Sequence, residues 1–395
     1  MVKSNIKNYL LEFPNYFSLF LFSFFMMSLS PALLDISKYF GITPEKMNLV
    51  MTFFLIGEGI GIIALIYLNR RFEKRNLIIW SYIAIIPIML ALMLATNIIL
   101  FYTLYFLAGL FLGVIFLNAN LGMLEGKVKN KDSIVNLGFG FFAIGALASP
   151  FVTSLLLKNQ ISWKIIYVII ICLILFSFAS QLLIISRKRI GLLAESKGIE
   201  FKKIFKYRKK NIYMILTSVL MFFYVIAEVI MFSWAPTFFR VEKLFSLINA
   251  SFVVSLFWIG ILVGRLVISV LSYRIKAGTL LIILSIISLT GVSCAIFVNS
   301  QIINFIGIGL TGIGFSGVPP LLISSAGRIF GSGKEISLTI LFVVGIIGGS
   351  AMPFVITLLS GYGLFFSMLI VVISMTAFFI MVFVRKAYRK TLKAK

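Results

Sequence analysis

Apolar runs follow one another almost without a break along this chain, each close to the roughly 20 residues a helix needs to cross the hydrocarbon of a bilayer. Twelve can be marked: 15–37, 46–68, 77–96, 98–122, 134–157, 164–186, 212–239, 246–272, 278–298, 301–327, 336–358 and 362–384. Runs this long and without alternation do not suit barrel strands. Hydrocarbon offers no partner to an open backbone amide, so the pattern predicts helices. The connectors are short and polar except one, RKRIGLLAESKGIEFKKIFKYRKKN, which divides the chain into 1–186, a linker 187–211, and 212–395.

Composition adds little to this: 61% hydrophobic and 12% charged residues over a length of 395 leave too little polar surface for a soluble fold. Charge adds more. Lys and Arg number 36 against 12 acids, a formal net charge of +24, and they crowd into the tails and alternate connectors. That asymmetry predicts a multi-pass protein of the cell (cytoplasmic) membrane with both termini and the linker in the cytoplasm. The expected partner of the basic excess is therefore the lipid bilayer and its anionic inner leaflet, not nucleic acid. The first fourteen residues carry Lys3, Lys7 and Glu12 and no small-residue cleavage site, which predicts a retained first helix.

Histidine is absent, which excludes imidazole proton relays and histidine-ligated haem. Cys172 and Cys294 lie inside apolar runs and read as packing residues. No metal constellation, Walker or Rossmann pattern or Ser/His/Asp set occurs, so no cofactor and no enzyme activity are expected.

Six spans, a basic linker and six more spans resemble the major facilitator superfamily, and local motifs carry the likeness further. After the second span, Gly61 is followed by Asn69, Arg70, Arg71, Lys74 and Arg75, similar to the family's Gly/Asp/Arg loop, with Asn69 where Asp is usual. A partial echo with Gly264, Arg265 and Arg274 follows at the eighth span, as duplicated halves imply. Gly140, Gly145 and Pro150 in the fifth span, and Gly345, Gly348, Gly349 and Pro353 in the eleventh, are similar to the family's small-residue and proline element. The resemblance implies an all-α integral membrane protein with twelve transmembrane helices in two six-helix pseudo-repeat bundles.

Within the superfamily the chain looks most similar to the fucose permease-like sugar/proton symporters. The relevant stretches are FFMMSLSPALLDI, which contains Asp35; NANLGMLEG and NLGFGFFAIGALASP; and FFYVIAEVIMFSWAPTFF with SLFWIGILVGRL. One departure matters. Those proteins carry a proton-coupling acid on the fourth helix, four positions before the asparagine matched here by Asn120, and this chain has Phe116 there. Coupling at that position, and a fucose-type substrate with it, are thereby left open.

Ionisable residues inside apolar runs cost about 2.5–3.5 kcal/mol on insertion scales, so they need a partner or a wet cavity. Glu228, Glu58 and Asp35 are the proton-coupling candidates. Glu228 shares a helical stripe with Thr217 and Tyr224 at spacings of seven and four, and Glu58 sits between Gly57 and Gly59 near mid-span. Asp35 matches a first-helix acid of the resembling subgroup. Each has a plain alternative as a packing or helix-end residue. These acids read as lacking a matching buried base. Glu125, followed by Lys127, Lys129 and Lys131, reads as a gate or salt-bridge residue, with Asn69, Arg70 and Arg265 in the loop motif.

For solute contact, Asn118, Asn120, Asn136, Tyr224 and Trp234 stand out, since amides donate and accept and indole faces stack on sugar rings. The same residues serve equally as helix bridges. The expectation is a secondary active transporter, a monomer, moving a small-molecule substrate such as a sugar by alternating access, with a proton or alternatively Na+ as coupling ion. A multidrug or metabolite exporter and a lipid-linked glycan flippase of the same fold are the rival readings.

Overall fold

The computed structural model describes residues 9–42, 44–68, 71–126, 128, 130–187, 208–330, 334–359 and 364–393; Asn69, Arg70 and most of the linker lie outside them. The first six helices are α1 (Phe13–Phe40), α2 (Pro44–Leu68), α3 (Lys74–Leu94), α4 (Ile98–Glu125), α5 (Lys131–Lys158) and α6 (Ile165–Arg187). After the linker come α7 (Arg208–Ser233), α8 (Ala235–Val241), α9 (Leu247–Leu271), α10 (Ala277–Phe297), α11 (Gln301–Ser316), α12 (Val318–Phe330), α13 (Lys334–Leu359) and α14 (Leu364–Lys393). Among the described residues there is no strand. Among the described residues, eleven stretches are long and apolar enough to span a bilayer, and Ile336–Met352 in α13 is a shorter apolar stretch. Large apolar side chains such as Ile83, Phe151, Leu266 and Ile373 are exposed, as they are where lipid and not water surrounds a protein.

Two of the predicted spans are each broken in two. The seventh ends as α7 at Ser233 because Pro236 has no N–H for the Phe232 carbonyl, and the chain restarts as α8 after Trp234. The tenth is divided at Gly317 into α11 and α12, where Pro319 and Pro320 remove the amides that would cap the carbonyls of Phe315 and Ser316.

The chain groups into two compact units, Met1–Lys129 with Phe141–Ile199 and Asn130–Gly140 with Glu200–Lys395. The start of α5 thus groups with the second unit. In unit 1 the closest pair is α2 with α4. A Cβ at Gly57 would collide with the Phe106 carbonyl, one at Gly61 with that of Leu110 and one at Gly109 with that of Phe54; at Gly113 it would meet the Glu58 carbonyl at 2.6 Å. Each helix-interior glycine costs about 1 kcal/mol relative to alanine. Here that cost is offset by backbone-to-backbone contact that no side chain permits. A buried polar chain ties α1, α3 and α6: Gln181 donates to Ser18 (3.1 Å) and Asn15 (3.3 Å), and Tyr82 bridges Ser18 (2.9 Å) and Ser177 (2.7 Å).

Unit 2 repeats the glycine device. A Cβ at Gly260 on α9 would meet the Gly309 carbonyl of α11 at 2.5 Å, one at Gly312 would strike the Phe257 carbonyl, and one at Gly264 the Ser316 hydroxyl. Around this crossing, α10 packs on the other side of α11, while α13 and α14 pack on α7.

Candidate functional site

In unit 2, α7 runs without interruption through Thr217, Tyr224 and Glu228, so its helical period places all three on one stripe. The Tyr224 hydroxyl donates to Glu228 Oε1 at 2.5 Å, the short distance expected of an O–H facing a carboxylate. Tyr224 is buried, with its ring 5.3 Å from that of Phe315, which in turn meets Phe257; Glu228 is partly buried. The acid therefore stands among aromatic rings with one strong donor.

Arg265 completes the group. The sequence reading attached it to a loop motif and found no base to match the buried acids. In the structure it lies inside α9, only 1% exposed, within electrostatic reach of Tyr224 and Glu228. Its guanidinium finds its other partners on backbone. Nε donates to the Ser316 carbonyl at 3.2 Å, and Nη1 donates to the Phe139 carbonyl on α5, whose ring lies 5.3 Å from the guanidinium carbon. The Ser316 carbonyl is available because Pro320 cannot serve it. A proline on one helix thus frees the acceptor that an arginine on another uses.

The start of α5 is held within unit 2 by further polar contacts. Asp132 accepts from the Ser324 hydroxyl and from Arg328 Nη1 at 2.8 Å, and the hydroxyls of Ser133 and Ser269 lie 3.1 Å apart. Sequence reasoning passed over Asp132 and Arg328. An acid in the first turn of a helix reads as a favourable dipole contact, and its real partner lies far away in the chain.

In unit 1, Glu58 is 5% exposed on α2, at the glycine crossing with α4. Among the described residues no hydrogen-bond donor or cation pairs with it. Phe116, at the position where the resembling proteins have an acid, packs its ring 4.6 Å from Phe22 and joins α4 to α1.

Three asparagines share one arrangement. Asn118 and Asn120 donate from Nδ2 to the carbonyls one turn back, Val114 (3.0 Å) and Phe116 (2.9 Å), and Asn136 does so to Asp132 (2.7 Å). The nitrogen must face the carbonyl, so the amide oxygen points away, and in all three it is buried and unpaired. Trp234 is half-buried at the joint between α7 and α8. Asp35 and Glu125 are exposed near the ends of α1 and α4. Thus Tyr224, Glu228 and Arg265 come together in unit 2. Asn136 belongs to the same unit, whereas Glu58, Asn118 and Asn120 belong to unit 1.

Apolar spanning helices in two units, each enclosing ionisable groups, define an integral membrane transporter. Residues 16–335 match the Major Facilitator Superfamily profile, and the chain belongs to that family; it is a transporter, not an enzyme. A relative from Buchnera aphidicola subsp. Baizongia pistaciae (strain Bp), named Protein TsgA homolog, is 24% identical over 346 residues, covering 85% of each chain. The fold is similar to the crystal structure of the transporter FucP in the outward conformation, with a TM-score of 0.73 and 20% identity over 94% of this chain and 99% of that one. A crystal structure of a variant of the E. coli fucose:proton symporter FucP gives a TM-score of 0.73 and 19% identity over 96% and 99% of the two chains.

Proposed function

We propose that the chain is a proton-coupled secondary transporter of a small hydroxyl-bearing solute, with Glu228 as the principal proton carrier. The observation that carries this is the grouping of Tyr224, Glu228 and Arg265 in a nearly dry setting. An ionised Glu228 is balanced by Arg265 and by the Tyr224 hydroxyl. A protonated Glu228 no longer offsets the charge of Arg265, which then leans more on Tyr224 and on the Ser316 and Phe139 carbonyls, and this strengthens its hold on the start of α5. Loading and unloading one proton therefore changes what Arg265 grips, which is the differential interaction a two-state transporter requires.

Glu58 is the second carrier candidate, an acid whose charge no described residue offsets, and Asp35 the third. The unpaired amide oxygens of Asn118, Asn120 and Asn136 are suited to accept from solute hydroxyls, with Trp234 as a stacking face. The fucose:proton symporter among the similar structures is the reason to begin with sugars. Residues 1–186 and 212–395 act as the two bundles, joined by the 187–211 linker on the cytoplasmic side, and the protein works as a monomer in the cytoplasmic membrane.

The test is uptake into proteoliposomes with a panel of sugars, sugar acids and drugs, under an imposed pH gradient, a Na+ gradient, or neither. At least one sugar-like solute is expected to accumulate under the pH gradient and not under Na+ alone. A panel in which no solute responds to the pH gradient contradicts the reading. Reporter fusions at both tails and in the linker are expected to report cytoplasm.

A further inference from the structure

A second buried arginine lies at the other end of the same α7 stripe. Arg385 on α14 is 4% exposed, its Nε donates to the Thr217 hydroxyl at 3.0 Å, and its guanidinium lies over the Tyr213 ring at 4.7 Å. Its Nη2 is buried and has no hydrogen-bond partner. Thr217 is already committed, donating to the Tyr213 carbonyl at 2.7 Å.

The surroundings raise the electrostatic cost of this charge. Among the described residues, Tyr213 is the favourable partner beside Thr217, and the other charged groups within reach of Arg385 are two more arginines, Arg389 and Arg328. Arg389 is four residues further on, on the same helix face, where like charges repel. Among the described residues the carboxylate close to the cluster is Asp132, and it is engaged by Arg328 and Ser324. Glu228 stands eleven residues from Thr217 on α7, roughly 16 Å at 1.5 Å rise per residue, and serves Arg265. Buried native polar groups are almost always paired, and a buried charge without a counter-charge is among the costliest features a fold can carry.

We propose that this corner of unit 2, where α7 begins and α14 ends, binds a phosphate-bearing anion. The anion accepts from Arg385 Nη2 and bridges to Arg389, with Arg328 adding long-range attraction. Guanidinium forks suit phosphate oxygens, and basic pockets between membrane helices take lipid headgroups. The phosphate comes either from an anionic lipid headgroup or from a soluble phosphate. Arg389, half-buried one turn beyond Arg385, is the approach in either case.

The experiment compares full-length wild type, Arg385→Met and Arg389→Gln. Proteins in nanodiscs of phosphatidylcholine with or without phosphatidylglycerol are followed by thermal unfolding, and lipids retained after extraction are counted by native mass spectrometry. A parallel arm titrates inorganic phosphate in lipid-free detergent. For a headgroup site, wild type retains phosphatidylglycerol over phosphatidylcholine by about tenfold or more, and its melting midpoint rises with the anionic lipid. Arg385→Met loses both effects while melting no lower than wild type in pure phosphatidylcholine, because an unbalanced charge has been removed. For a soluble ligand, inorganic phosphate raises the wild-type midpoint and not that of Arg385→Met.

Equal retention of the two lipids together with no response to phosphate overturns the proposal. So does a preference that survives in Arg385→Met. Should that variant not accumulate, Arg389→Gln decides: a several-fold weaker preference supports the site, and an unchanged one overturns it.

Discussion

The α2–α4 crossing of unit 1 and the α9–α11 crossing of unit 2 are built alike and charged differently. Both use glycines four residues apart, Gly57 and Gly61 in one and Gly260 and Gly264 in the other, to bring backbones into contact. The residue after the first glycine is Glu58 in unit 1 and Ile261 in unit 2, while the residue after the second is Ile62 in unit 1 and Arg265 in unit 2. The duplicated scaffold thus carries a charge in each copy, displaced by one helical turn and of opposite sign. Arg265 has acquired partners on three other helices, whereas Glu58 has none among the described residues. Packing is the repeated part of the design, and charge the part that the two halves have divided between them.

Substitutions can break this comparison, and the largest effect is expected at the paired site. Arg265→Leu should lower the unfolding free energy in mixed detergent by about 3–5 kcal/mol, the usual cost of stranding one member of a buried pair. The double variant Arg265→Leu/Glu228→Leu should regain most of that loss. Additive losses in the cycle would show that the two side chains are not coupled. Tyr224→Phe removes the hydroxyl that serves Glu228 and Arg265 and should cost about 1.5–3 kcal/mol by the same measurement; no change would mean that these contacts contribute nothing.

The glycine crossings come next. Gly57→Ala and Gly260→Ala should each cost about 1–3 kcal/mol through overpacking against backbone. Gly140→Ala, whose added Cβ meets nothing within 4 Å, should alter stability by less than about 1 kcal/mol. A Gly57 variant as harmless as the Gly140 one would undo the close-contact reading. The smallest shift is expected for Glu58→Gln, under about 1 kcal/mol, since it removes no partner. A loss comparable to that of Arg265→Leu would expose a counter-charge outside the described residues and remove the contrast between the halves.

Hydrophobic run length made the spans legible in sequence, because lipid leaves the backbone no alternative to helix and a span needs about 20 residues. Breaks within spans were less so. Pro236, Pro319 and Pro320 announce bends, yet where the helix stops depends on which carbonyls find other donors, as Ser316 does in Arg265. The Tyr224–Glu228 contact could be read from a spacing of four on one helix. Contacts between helices could not. Arg265 beside Gly264 resembles a loop motif, and only its neighbours reveal a buried counter-charge. The same holds for Asp132 and Arg328, distant in sequence and 2.8 Å apart in the fold. Nor could residue type tell that Asn118, Asn120 and Asn136 each turn their donor to their own helix and leave an acceptor bare.

The central claim is that Glu228 carries the proton that drives transport, and it is tested most directly by separating driven uptake from exchange. In proteoliposomes containing Glu228→Gln, which keeps the shape and a Tyr224 partner but cannot ionise, pH-driven accumulation should disappear. Exchange of labelled for unlabelled solute, which moves no net proton, should persist at a rate close to that of wild type. Accumulation that survives in Glu228→Gln, or exchange that is lost together with accumulation in a folded protein, would contradict the account.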